Sequence, residues 1–234
     1  MIEATGLVLK TRPYRETSML VTLFTREIGV VGAVARGQRA ANRGTQLQPF
    51  CTLSLGLSGR GSLKTLARSE LIQSYDLKGD ALASGFYAME LLYRALAEGQ
   101  VETSLFDGLL GLFQKLEQST SLACEVRQFE RLLLDQSGYA VDFSSAAGAS
   151  GDRVEPDMFY QYISETGFVP CNPEHSRAIP GTVLLALAAG EYSNGDVLRH
   201  ARVIQREALK PLIGHQPIAS RHLLQAASID EPRA

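Results

Sequence analysis

The sequence predicts an α+β protein, with an N-terminal five-stranded β-barrel followed by an α-helical C-terminal domain. Three observations carry this reading. Residues 1–79 hold five short β-branched or alternating segments, divided by Gly, Pro and polar turns, with no helical period among them. At Asp80 the apolar spacing changes to three and four residues. Hydrophobic content of 45% and charged content of 21% over 234 residues suffice for two packed cores.

Residues 6–10, Gly-Leu-Val-Leu-Lys, make the first strand, which Pro13 and the polar residues 14–18 end. Residues 19–25 make the second, 26–29 its turn, and 30–35 the third. Residues 48–57 alternate through Phe50, Leu53 and Leu55 as the fourth; Gly56, Gly59 and Gly61 close it with Arg60 at the tip, and 63–72 is the fifth. So small an all-β unit removes its exposed edges most simply by closing on itself. The most economical closed form is an OB-fold, whose face and loops bind nucleic acid or sugars; strand count alone leaves an SH3-like barrel as the alternative.

The stripe Phe86, Met89, Leu92, Tyr93, Leu96 predicts a helix ended by Gly99. Residues 104–118 and 122–136 predict two more, the last with Gly138 at its C-terminal end. Residues 141–153, rich in Gly, Ala and Ser, read as a loop or linker. A small hairpin is expected over 159–169, helices over 183–189 and 196–212, and a last short helix starting at Ser220 as its N-cap. The predicted domains are therefore an OB-fold over 1–79 and a helical domain over 80–234, with a loop-rich insertion at about 140–178.

The net charge of −2 hides an asymmetry. Residues 1–80 carry 11 Lys plus Arg against 6 Asp plus Glu, and residues 81–234 carry 12 against 19. The basic half suits a polyanion. Its most basic stretch is Val34-Ala35-Arg36-Gly37-Gln38-Arg39-Ala40-Ala41-Asn42-Arg43-Gly44, in which no acid neutralises the three arginines. Planar guanidinium groups on a loop between strands suit phosphate oxygens, although a solvated surface loop is the simpler alternative.

Other chemistries find little support. Cys171 with His175 lacks a third orienting residue or a nucleophile turn, as do His200 and His222. Asp152, Glu155 and Asp157 lie in a polar loop, and there is no phosphate loop of the nucleotide-hydrolase type. No catalytic residue and no cofactor are expected. Scattered Cys51, Cys124 and Cys171 suit reduced thiols; with no secretory signal at the N-terminus and no apolar run longer than 183–189, a cytoplasmic, nucleoid-associated protein away from the membrane is expected.

A set of short signatures then places the chain. They are Arg12-Pro13-Tyr14-Arg15-Glu16-Thr17-Ser18, Leu23-Phe24-Thr25-Arg26-Glu27-Ile28-Gly29, and Val34-Ala35-Arg36-Gly37-Gln38-Arg39. Further on come Leu47-Gln48-Pro49-Phe50, Gly59-Arg60 with Leu63-Lys64-Thr65-Leu66, Tyr87-Ala88-Met89-Glu90-Leu91, Phe129-Glu130-Arg131-Leu132-Leu133-Leu134 before Gly138-Tyr139, and Leu209-Lys210-Pro211-Leu212 with Ser220-Arg221. In order and spacing across nearly the whole chain, these resemble the bacterial RecO recombination mediators. The resemblance implies an OB-fold joined to a helical domain. It implies binding of single- and double-stranded DNA, annealing of complementary strands, and help in loading RecA onto strands coated by the single-stranded-DNA-binding protein SSB. The implied partners are DNA, the SSB C-terminal tail, RecR, and RecA through its filament; an RNA-binding OB protein or an adaptor without a recombination role is the alternative.

The DNA-contacting candidates are Arg12, Arg15, Arg36, Arg39, Arg43, Arg60 and Lys64, extended by Arg199, Arg206 and Lys210 on the last long helix. Tyr14 is the aromatic placed to stack on a base, whereas Phe24, beside Leu23 in a strand, belongs to the core. For the phenylalanine-ended acidic tail of SSB, the candidates are Arg127 with Phe129 and Leu133, Arg131 being free to pair with Glu130 or Asp135. Many family members hold zinc with four cysteines after the Gly-Tyr pair. Here residues 142–151 contain no cysteine, so no metal is expected.

Overall fold

The computed structural model describes residues 1–37, 47–147, 152–192, 194–214, 216–220 and 223. The predicted strands are β1 (Ile2–Tyr14), β2 (Ser18–Thr25), β3 (Gly29–Ala35), β4 (Cys51–Ser58) and β5 (Lys64–Ser74). The first three form an antiparallel meander. β5 runs parallel to β3 and antiparallel to β4, and β4 pairs back with β1, closing the barrel in the order β1-β2-β3-β5-β4. That is an OB-type five-stranded Greek-key barrel. Val21, Leu23, Ala33, Leu53, Leu55 and Leu57 fill its interior, each fully buried.

Two strands differ from expectation. β1 continues through Pro13, which pairs with Met19. Beyond Gly6 it has no partner on its β4 side, so Pro13 sits on an open edge where a missing N–H is tolerated. β4 begins at Cys51 because Phe50 turns out of the strand, at φ +59. This unusual conformation is held by packing: the buried Phe50 ring meets Phe86 edge-on at 4.8 Å and Phe113 at 5.2 Å, and its carbonyl accepts from the Tyr75 N–H at 2.9 Å.

Helices α1 (Gly79–Ala95), α2 (Thr103–Gln118) and α3 (Leu122–Gln136) follow the predicted spacing. The change of period near residue 80 marks where strand gives way to helix, but the compact units divide elsewhere. One comprises Met1–Leu122 with the segment returning at Pro217; the other is Ala123–Gln216. α1 and α2 thus belong with the barrel. Phe24, read as core, is fully buried and meets Phe106 of α2 edge-on at 5.4 Å. Such pairs contribute about 0.5–1.5 kcal/mol each beyond the area they bury.

The returning segment docks on α1. The Glu90 carboxylate accepts from the Ala219 N–H (2.9 Å), the Ser220 N–H (2.8 Å) and the Ser220 hydroxyl (2.7 Å), while Arg94 bonds both Glu90 and the Pro217 carbonyl. Ile218 is buried beside them. Ser220 therefore serves Glu90; the short helix expected beyond it falls, except for Leu223, outside the described residues. Burial opposes ionisation of Glu90, but the Ser220 and Ala219 donors and Arg94 outweigh it and hold the carboxyl below the usual glutamate range. A depressed carboxyl contributes stability that is present above its unfolded pKa and is lost as pH falls through the folded one. Glu90→Gln is expected to loosen the segment by about 1–3 kcal/mol. Amide exchange at Ala219 and Ser220 reads this, and exchange as slow as in the unaltered protein would show that the carboxylate does not hold the segment.

The second unit contains α3, the hairpin β6 (Phe159–Ile163) and β7 (Gly167–Pro170), the two-residue strand β8 (Ile179–Pro180), α4 (Gly181–Ala188) and α5 (Gly195–Ile213). The Asn194 side chain caps α5 by accepting from the Asp196 N–H at 2.8 Å. The described part of the stretch read as a loop or linker, 141–147 and 152–153, contributes to this core: Phe143 and Ala146 are buried, and Phe143 lies 5.7 Å from Phe168. One large apolar residue among small ones was too weak a pattern to show it. Among the described residues, no helix is long and apolar enough to cross a membrane.

Candidate nucleic-acid interface

The interface begins with one extra residue in β1. Val8 pairs with Leu23 and Lys10 with Thr22, so Leu9 is a bulge. Val21 and Leu23 point into the barrel, and Leu20 and Thr22 point out. In an unbroken ladder Lys10 would oppose Val21 and face the core. The bulge shifts it by one, and Lys10, Arg12 and Tyr14 come to lie on the outer face opposite Thr22, Leu20 and Ser18.

Two rows cross the outer face from there. One runs Lys10, Thr22, Gly32; the other runs Arg12, Leu20, Val34, Thr65, Ser58. Thr22 and Thr65 are small side chains on this face, beside the larger Leu20 and Val34. Arg36 follows the end of β3, and Arg60 tips the β4–β5 turn, whose Leu63 side chain lies over Gly32. Arg12, Arg36 and Arg60 are exposed and form no ion pair among the described residues. Elsewhere on the barrel Glu3 and Glu70 hold Arg68, at 2.8 and 3.7 Å, and Glu27 accepts from the Thr5 N–H, while Glu16 of the β1–β2 turn is exposed. Asp107 holds Arg26 through two hydrogen bonds, which lower the carboxyl and raise the guanidinium.

Arg15 and Lys64 are also at this end. Arg15 occupies the β1–β2 turn at φ +54, its guanidinium 5.2 Å from the Tyr14 ring centre. Lys64 donates to the Gly59 carbonyl at 3.2 Å and braces the β4–β5 turn. Arg39 and Arg43 lie outside the described residues. Sequence reading missed Lys10, whose Nζ sits 4.7 Å over the Tyr93 ring of α1. A lysine two residues before Arg12 was the available signal, but it reads as outward-facing only when the bulge is known. The β2–β3 face and the loops joining strands 1–2 and 4–5 are where OB-folds bind oligonucleotides.

The second unit keeps less of its predicted charge. On α5, Arg199 pairs with Asp196 and Lys210 with Glu207 at 2.6 Å, leaving Arg206 exposed with no ion pair among the described residues. The proposed tail pocket is not on the surface. Phe129 is 4% exposed and Leu133 fully buried, while Arg127 pairs at 2.7 Å with the fully buried Glu130. Helical periodicity put these residues on one stripe, and that stripe is the one the helix buries. Arg131 does not take Glu130 in Arg127's place: it donates to the Leu187 carbonyl at 2.6 Å and lies 5.5 Å from the Phe143 ring.

A cavity of about 490 Å³ is lined by Tyr139, Val141, Asp142, Tyr162 and Thr166. Of its two carboxylates, Asp142 and Glu165, Asp142 is held low by Ser144 and Ser145, which both donate to it at 2.6 Å. The chain has only three cysteines, Cys51, Cys124 and Cys171, none of them in residues 142–151, so a four-thiolate zinc does not fit it. Cys171 is raised by burial, hence a thiol rather than an activated thiolate near neutral pH. His175 turns to its own loop, accepting from the Arg177 N–H, and His222 lies outside the described residues.

Comparison with known proteins agrees with this architecture. Residues 1–75 match the family described as Recombination protein O N terminal, and residues 77–220 match Recombination protein O C terminal. The chain is 40% identical over 224 residues to proteins named DNA repair protein RecO from Salmonella paratyphi B (strain ATCC BAA-1250 / SPB7), Salmonella newport (strain SL254) and Salmonella typhi, covering 94% of this chain and 92% of each relative. With an OB-type barrel, a helical region and this level of identity over nearly its whole length, the chain belongs to the RecO family of DNA repair and recombination proteins.

Proposed function

We propose that this chain is a recombination mediator that binds single- and double-stranded DNA across the outer β1–β2–β3 face, anneals complementary strands, and helps load RecA onto SSB-coated strands. Family membership supports a role in DNA repair and recombination. The observation that carries the DNA reading is the set of exposed cations Arg12, Arg36 and Arg60 at one end of the barrel face, with no ion pair among the described residues. Annealing requires phosphate repulsion between two strands to be screened while the base edges stay free to pair. Arginines spread along a shallow face do this, where a tight base-reading pocket would hold the bases.

Each neutralised phosphate lowers the slope of log affinity against log salt by about 0.7 on single strands. The triple variant Arg12→Ala, Arg36→Ala, Arg60→Ala is therefore expected to flatten that slope by about 2 and weaken binding at every sequence. An unchanged slope would remove this face from the interface.

The SSB tail and RecR belong to the same proposal, but the buried Phe129 and Leu133, with Arg127 paired to Glu130, lend the tail contact little surface. The discriminating assay is annealing of two complementary strands precoated with SSB, with and without its C-terminal tail. Acceleration that depends on the tail supports a mediator with a protein contact. Acceleration without it leaves an annealer alone.

A further inference from the structure

We propose that Tyr93 of α1, carrying Lys10 on its ring, is a base-stacking platform that makes the barrel's DNA-binding face prefer unpaired strands over duplex. This rests on the DNA reading of the same face and specifies its substrate.

Tyr93 is 39% exposed, although its helix neighbours Leu91 and Leu92 are fully buried. The Lys10 ammonium lies 4.7 Å from its ring centre and 3.5 Å from its hydroxyl. The ring therefore stands at the start of the row Lys10, Thr22, Gly32. Tyr14 repeats the arrangement with Arg15 at 5.2 Å. Alternate residues of a strand are about 6.7 Å apart, so Lys10, Arg12 and Tyr14 form a line of roughly 13 Å with cations along it and a tyrosine near each end.

Cations and rings do different things to DNA. Phosphates are exposed in single strands and duplexes alike, so Lys10 and Arg12 attract both. The π-faces of bases are covered in a duplex and free in a single strand, so the rings contribute only to the second. The cation beside each ring would then meet the phosphate of the nucleotide whose base stacks there. Charge complementarity selects a nucleic acid, and the exposed rings select the unpaired form.

The chain contains no tryptophan, so Tyr93→Trp introduces a single reporter at the platform. It would be titrated with oligothymidylate and with a hairpin duplex, while the anisotropy of labelled DNA is followed in parallel. Trp emission is expected to be quenched by oligothymidylate and little changed by duplex. Tyr93→Ala is expected to lower single-strand affinity roughly 5- to 140-fold, the 1–3 kcal/mol of one stacked base at 1.4 kcal/mol per tenfold, with duplex affinity within about twofold. Tyr93→Phe, which keeps the ring, is expected to retain single-strand affinity. Unquenched emission while anisotropy reports binding, or equal losses on both substrates in Tyr93→Ala, would overturn the platform and leave the DNA reading intact. No binding of either substrate by the unaltered protein would overturn the DNA reading itself.

Discussion

Gly29→Ala is expected to destabilise the barrel unit by more than about 3 kcal/mol, lowering its melting temperature by roughly 6–12 °C. Gly29 closes the β2–β3 turn at φ +71. The Thr25 hydroxyl donates to its carbonyl at 2.8 Å and accepts from the Ile28 N–H at 3.2 Å. The loop between α1 and α2 comes up against this turn, with the Gly99 N–H donating to the Val30 carbonyl at 2.8 Å. A β-carbon on Gly29 would lie 2.0 Å from the Gln100 carbonyl oxygen and 2.4 Å from its carbon. Those are backbone atoms, so no side-chain rotation relieves the overlap. Gly99→Ala is the control: its φ is +77, but nothing lies within 4 Å of the new carbon. It is expected to cost only the backbone strain, about 1–2 kcal/mol. Thermal unfolding of the two variants checks the argument, and equal losses would refute the close approach as the cause.

The second large effect is expected at Glu130, whose replacement by alanine should cost about 3–5 kcal/mol. Glu130 is fully buried, and Arg127, with its side chain 12% exposed, bonds it at 2.7 Å one helical turn away. Removing the carboxylate leaves a guanidinium charge in the protein interior without its counter-ion, which is dearer than the pair was favourable. The double variant Arg127→Met, Glu130→Leu removes both charges at similar volume and is expected to recover most of the loss. Denaturant unfolding of the single and double variants decides it. If the double variant were no more stable than Glu130→Ala, shape rather than charge would be the reason.

Glu130 also shows where a sequence stops being informative. Arg127 stands one helical turn from Glu130, a spacing that allows their pair, while Arg131 has Asp135 one turn further on and nothing in the spacing that shows whether it takes it. The choice depends on the Leu187 carbonyl, which occupies Arg131 from 56 residues away. The same holds on α5, where a stripe of cations becomes two ion pairs and one exposed Arg206. Phe129 and Leu133 were legible as an apolar stripe, but a stripe has the same spacing whether it faces a core or a partner.

The local features were all in the sequence. Alternation and turn residues located five strands, spacing of three and four located the helices, and ordered short signatures identified the family, because each depends on neighbours within a few positions. Tertiary structure decided what depends on distant partners. One bulge at Leu9, visible only against β2, turns Lys10, Arg12 and Tyr14 outward, and Glu90 recaptures a segment 130 residues later to complete the barrel's unit. Which cations remain without an ion pair among the described residues follows from which carboxylates reach the others. That depends on which residues distant in the sequence the fold brings within hydrogen-bonding distance.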